Sequence, residues 1–228
     1  MRCVILQPSY IPWRGYFDLV RRADVFVFYD DVQYDKRGWR NRNRIKTAQG
    51  TRWLTIPVKS RGAQVEHTPI NEILTDGDDW ARTHLATLRH VYARAPFFGD
   101  YAEWLERIYA APPQLLADFT IATTIDLARF LGYTTTRFLR SSELAVTGKK
   151  TDRLLSVLRA VGATSYLSGP SAKDYIEEEK FAEANIALDY IHYDYPAYPQ
   201  LYPPYDPAVT ILDLLFMTGG DAPKYIAP

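Results

Sequence analysis

Cysteine is nearly absent: Cys3 is the one thiol in 228 residues, so neither an intramolecular disulfide nor a cysteine zinc cluster can form. A reducing, cytoplasmic setting is expected. Cys3 itself reads as a small core hydrophobe. Histidine is scarce too, with four in the chain. His84 and His90 do not share a helical face, so a histidine metal site is not expected, nor is any cofactor evident. Net charge is missing, since 27 basic residues balance 27 acidic ones. No global pull toward nucleic acid or an anionic membrane follows. No apolar run approaches the roughly 18 residues of a membrane span. Met1-Arg2 leads straight into a strand-like run without a signal-peptide pattern. Internal repeats and low-complexity linkers are also lacking.

What the chain has is aromatic surface, with 17 Tyr, 10 Phe and 5 Trp. Tyr offers a flat face and a hydroxyl tip, which suits polar, ring-shaped ligands such as sugars and bases. Apolar runs at Cys3–Leu6 and Asp24–Tyr29 read as buried strands, with helical spacing from Gly15 to Ala23 between them. Further strands are expected at Trp53–Val58, at Phe138-Leu139, after Gly162, and at Ile186–Tyr190. A block of three helices runs from about residue 78 to 132, closed by Gly132. Helices are also expected at Asp152–Val161 (Thr151 as N-cap), Glu177–Ala184 and Val209–Met217, and a polar loop at Lys59–Val65. The pattern predicts one α/β domain over residues 1–228: a parallel-core sheet flanked by helices, with a helical insertion over about 78–132.

The loop Gln7-Pro8-Ser9-Tyr10-Ile11-Pro12-Trp13-Arg14-Gly15 leaves the carboxyl end of the first strand, where open α/β sheets bind ligands. Gln7 can donate and accept, Tyr10, Trp13 and Tyr16 can stack on a ring, and the following helix presents free N–H groups. A Pro-rich aromatic plug for one end of the sheet would show the same residues. Asp30, Asp31 and Asp35 are candidate bases or Mg²⁺ ligands, or else ion-pair partners of the basic run behind them. In that run Arg40, Arg42 and Arg44 alternate, so an extended chain puts them on one face and Asn41 and Asn43 on the other. With Lys46 they suit an anionic small ligand. A solvated loop is the plain alternative, and nucleic acid a weaker one given the neutral total charge. Ser168-Gly169-Pro170-Ser171 with Lys173 resembles an anion-holding turn. Gly148-Lys149-Lys150-Thr151 lacks the earlier glycine of a phosphate loop.

Five segments taken together resemble the WbqC-like protein family. They are Gln7-Pro8-x-Tyr10-x-Pro12-Trp13-x-Gly15-Tyr16-Phe17; Asp24–Val27 leading to Asp30-Asp31-Val32-Gln33; Asn41–Thr47; Tyr166–Tyr175; and Pro196-x-Tyr198-Pro199-Gln200. The resemblance implies biosynthesis of bacterial surface polysaccharide, such as O-antigen, by transfer of an aminoacyl or acyl group to an amino sugar on a nucleotide carrier. Its partners would be that nucleotide-linked sugar and the acyl donor. Asp30 or Asp31 would be the base, with Gln7, Tyr10, Trp13, Tyr16, Gln33, Arg40–Arg44, Lys46, Ser168, Gly169, Lys173 and Gln200 around the substrate. Leu6 stands where family members often have His. A non-catalytic nucleotide-sugar-binding or assembly protein fits the same motifs. The architecture is also similar to nucleotide-binding enzymes of the HUP superfamily, which form adenylates or transfer nucleotidyl groups. Trp13 and Tyr16 stand near where the histidines of that superfamily fall, which speaks against that catalytic route and leaves nucleotide binding open.

Overall fold

Two neighbouring runs set the architecture, because their residues alternate between two apolar faces. The computed structural model describes residues 1–59 and 67–227. Strands β1 (Arg2–Leu6) and β2 (Val25–Phe28) pair in parallel, joined by helix α1 (Arg14–Arg22). Val4, Phe26 and Phe28 join one hydrophobic cluster, while Cys3, Ile5, Val25 and Val27 join another on the opposite face. A sheet apolar on both faces must be covered on both, as in doubly wound folds.

Three more parallel strands complete the sheet: β5 (Arg137–Arg140), β6 (Ser165–Ser168) and β7 (Ala187–Tyr190), in the order β5-β2-β1-β6-β7. The sheet therefore grows outward in one direction from β1 to β5 and in the other from β6 to β7. The reversal falls between β1 and β6, the topological switch point where the carboxyl ends of strands leave a crevice. Between β2 and β5 the chain makes an antiparallel hairpin, β3 (Arg42–Thr47) and β4 (Gly50–Thr55), then helices α2 (Asp79–Tyr92), α3 (Phe98–Ala110) and α4 (Leu116–Phe130). These helices pack with α1 and with α7 (Ile211–Thr218) in the first cluster. Helices α5 (Lys150–Val161) and α6 (Glu178–Glu183) cover the second.

The strand expected at Trp53–Val58 begins earlier and stops at Thr55, because it pairs with β3 from the Gly50 turn onward. Thr151 is not an N-cap: Lys149 holds that place, and the Thr151 hydroxyl, two residues further in, accepts from the Glu177 amide. Gly132 ends α4 as expected, with φ at 77°. The polar loop expected at Lys59–Val65 lies, beyond Lys59, outside the described residues. Among the described residues no helix is long and apolar enough to cross a membrane.

Candidate active site at the carboxyl edge of the sheet

The loop after β1 is held in a conformation its sequence would not choose. Ile11 has φ at 35°, a left-handed value costly for a β-branched residue. The Asn43 amide donates to the carbonyls of Tyr10 at 3.0 Å and Ile11 at 2.7 Å, and the Thr210 hydroxyl donates to that of Ile11 at 2.8 Å. Two distant segments thus clamp the loop. Trp13 packs its indole against the start of α1, where a Cβ on Gly15 would stand 2.3 Å from the ring. Only glycine permits that approach.

The clamp shapes a cavity of about 360 Å³ lined by Leu6, Gln7, Ser9, Pro12, Trp13, Tyr16, Trp39, Arg40, Asn43 and Ala208. Its wall is apolar and aromatic, with a few polar atoms, as small-molecule sites usually are. The Tyr16 hydroxyl donates to the Gln7 carbonyl at 3.3 Å. Burial drives the Tyr16 hydroxyl pKa well upward, with Arg40 pulling it back, so the phenol stays protonated.

Arg40 is the single charged side chain of this lining. Its Nε is buried without a hydrogen-bond partner, and no carboxylate pairs with it among the described residues. Burial lowers its pKa, opposed by Tyr16, Asp35 and Tyr34. A partly buried guanidinium with one buried donor unmet is a cost to the empty protein and a ready partner for an anion. Neither a carboxylate nor an imidazole lines the cavity among the described residues, so the lining itself offers no general base near neutral pH.

Five of the residues expected from sequence, Gln7, Trp13, Tyr16, Arg40 and Asn43, converge here. Tyr10 does not face the cavity; it is fully buried, with its hydroxyl on His84 Nδ1 at 2.8 Å and on the Tyr109 hydroxyl. The Asn41 amide donates to the Ile56 carbonyl at 2.7 Å. Arg42 donates to the Gly38 and Arg37 carbonyls, and Arg44 to that of Ala208. Lys46 donates to the Pro204 carbonyl. The alternation expected across Arg40, Arg42 and Arg44 stops short of Arg40, because β3 begins at Arg42 and Arg40 sits in the bend before it. Gln200 braces the Pro-rich segment, donating to the Tyr198 hydroxyl, the Asp206 carbonyl and Asp213. Gln33, exposed, accepts through Oε1 from His67 Nδ1 at 3.1 Å and forms an isolated bridge with Pro69.

Ser168 ends β6 and Gly169 follows it, across the switch point from Gln7, without lining the cavity. The Ser168 hydroxyl bonds that of Tyr166 at 3.2 Å, and the Lys173 ammonium lies 4.9 Å from the Tyr190 ring centre. Of the three acids after β2, Asp35 accepts from the Arg37 amide in the basic run at 2.9 Å, whereas Asp30 and Asp31 make no ion pair with that run among the described residues. The fully buried Asp30 accepts from the Ser141 hydroxyl at 3.2 Å, the Ser142 amide at 3.1 Å and the Ser142 hydroxyl at 2.9 Å. Asp31 pairs with Arg153 and accepts from Ser141 at 2.6 Å. Both belong to the junction of β2 with the turn after β5, and neither lines the cavity. No three His, Cys, Asp or Glu side chains cluster as metal ligands among the described residues.

Sequence reasoning passed over Trp39, Ser9 and Ala208. Trp39 was visible as the aromatic in the basic run; Ala208 carries no chemical signal and lines the site only through tertiary approach. Comparison with known proteins finds that residues 7–225 match the WbqC-like protein family. The uncharacterized protein Rv1507c of Mycobacterium tuberculosis is 43% identical over 227 residues, covering 99% of this chain and 97% of its own length. No solved structure matches.

Proposed function

The chain belongs to the WbqC-like protein family, and on that premise we propose that it binds a nucleotide-linked amino sugar and serves the synthesis of bacterial surface polysaccharide of the O-antigen type. The observation that carries the binding step is Arg40, a cation with no ion-pair partner among the described residues, in an aromatic cavity at the carboxyl edge of a parallel sheet. A sugar phosphate supplies what the cavity lacks: an anion for the guanidinium and a ring for Trp13 and Tyr16. The setting that goes with this reading is cytoplasmic, and the one buried thiol calls for no oxidising compartment.

Transfer of an acyl or aminoacyl group would follow. The amide C–N bond forms at the sugar nitrogen, the donor's acyl bond breaks, and the nitrogen's proton goes to a base, with Asp30 or Asp31 as the proposed acceptor. A second reading, binding without catalysis, is favoured by the closed hydrogen bonding of both acids.

The test is a thermal-shift and calorimetric screen of nucleotide-sugars on the wild type and Arg40→Ala. Losing one charge-assisted partner of a phosphate costs about 1.5–3 kcal/mol, roughly a 10- to 150-fold rise in Kd. Unchanged affinity in Arg40→Ala refutes the anion site. Mass spectrometry of acylated product with Asp30→Asn and Asp31→Asn then separates transfer from binding alone.

A further inference from the structure

A cavity of about 360 Å³ stands at the low end of small-molecule sites, which run from about 300 to 1,000 Å³. It has room for one ring and its anionic group. A nucleotide-sugar has two ring systems joined by a diphosphate, so part of it must lie outside.

The surface next to the cavity is unusual. Trp39 lines the cavity yet stays 42% exposed, and Trp53 beside it is 47% exposed. Their ring centres are 5.2 Å apart at 38°. Large aromatic faces left in water forgo a favourable burial. Both faces are also held in place. Register sets Arg44 directly opposite Trp53 in the hairpin. The Arg42 guanidinium lies 4.5 Å from the Trp53 ring centre, and that of Arg44 lies 5.9 Å from both rings. The two arginines are in turn fixed by backbone carbonyls of Arg37, Gly38 and Ala208. The result is a preformed aromatic surface, flanked by positive charge and continuous with the cavity through Trp39.

We infer that Trp39 and Trp53 form a second subsite that stacks the nucleobase of the nucleotide carrier, with the diphosphate at Arg40 and the sugar inside the cavity. This rests on the binding reading of the previous subsection and adds where each part of the ligand lies. Stacking on an indole tolerates any base, because every base has a π face. The flanking guanidinium groups favour a phosphate-bearing occupant over a neutral glycan, which could use the rings but gains nothing from the charge.

Isothermal titration of wild type, Trp53→Ala and Arg40→Ala with three probes tests the assignment: UDP-N-acetylglucosamine, N-acetylglucosamine 1-phosphate and the neutral chitotetraose. Trp53 lies outside the cavity lining, so Trp53→Ala is expected to weaken UDP-N-acetylglucosamine about tenfold and to leave the sugar 1-phosphate unchanged. Arg40→Ala is expected to weaken both. A silent Trp53→Ala beside a weakened Arg40→Ala overturns the stacking platform alone. Equal weakening of both phosphate probes by Trp53→Ala also overturns it, since that pattern marks general damage to the site. Chitotetraose binding that depends on Trp53 replaces the nucleobase by a glycan. A wild type that binds neither phosphate probe sinks the binding reading itself, and the subsite with it.

Discussion

His84 provides the sharpest pH prediction. It is 5% exposed, edge-on to Trp80, and its Nδ1 lies 2.8 Å from the Tyr10 hydroxyl, which also meets that of Tyr109. A chain in which Tyr109 donates to Tyr10 and Tyr10 to Nδ1 needs an unprotonated Nδ1 and so a neutral imidazole. A proton on Nδ1 would turn a donor against a donor and bury a charge. Burial accordingly lowers the pKa from 6.5 to about 4, with the Thr55 carbonyl pulling the other way. The folded pKa is depressed, so between pH 6.5 and about 4 the unfolded chain binds a proton that the folded one refuses. The stability this represents is complete above the upper value and is lost as pH falls toward the lower one. At 1.36 kcal/mol per pKa unit the loss is about 3 kcal/mol, a large share of the roughly 5–15 kcal/mol of an ordinary domain. Urea denaturation from pH 7 to 4 should show the wild type losing about 3 kcal/mol more than His84→Gln, since carboxylate titrations common to both cancel in the difference. Parallel stability curves for the two proteins, or an NMR pKa for His84 near 6.5, would refute the account.

Two glycines give predictions of opposite kind. Ala at Gly219 faces both a φ of 53° and the Phe97 ring at 2.6 Å, so Gly219→Ala should cost about 2–4 kcal/mol in urea denaturation. Gly15 has ordinary helical geometry, and the nearest atoms a Cβ there would meet are those of the Trp13 indole, at 2.3–2.7 Å. Gly15→Ala should therefore displace the indole, lowering ligand affinity tenfold or more (about 1.4 kcal/mol) while costing the fold less than Gly219→Ala does; a ranking reversed in either assay counts against the packing described.

The elements were legible where one local signal decided them. Alternation of Cys3, Val4 and Ile5 against Val25, Phe26 and Val27 announces strands covered on both sides, and Gly132 announces a helix end. That the loop from Gln7 to Gly15 walls a cavity was legible because two prolines and several aromatics follow a strand end. The roles within it were not. Tyr10 and Trp13 look equally fit to stack on a ligand, yet tertiary packing buries one against His84 and leaves the other on the cavity. Likewise Asp31 finds its cation 122 residues away in Arg153, a pairing that no local spacing encodes.

The basic run shows most clearly why residue type alone misleads. Its arginines look interchangeable as phosphate binders. Arg42 and Arg44 have their donors on carbonyls and their planes near indoles, and Lys46 meets Pro204. An anion reaching these three would have to compete with partners already in place. Arg40 has no such partner, so an anion there replaces an unmet desolvation cost by a charge-assisted bond. The same reasoning fixes a sign that a solvated arginine would not show. Removing Arg40 should leave the unliganded protein as stable as before or more so, because an unpaired, partly buried charge disappears, while the stabilisation by ligand is lost. A marked fall in unliganded stability on Arg40→Ala would mean that the guanidinium is held by the fold, and the anion would have to be sought elsewhere.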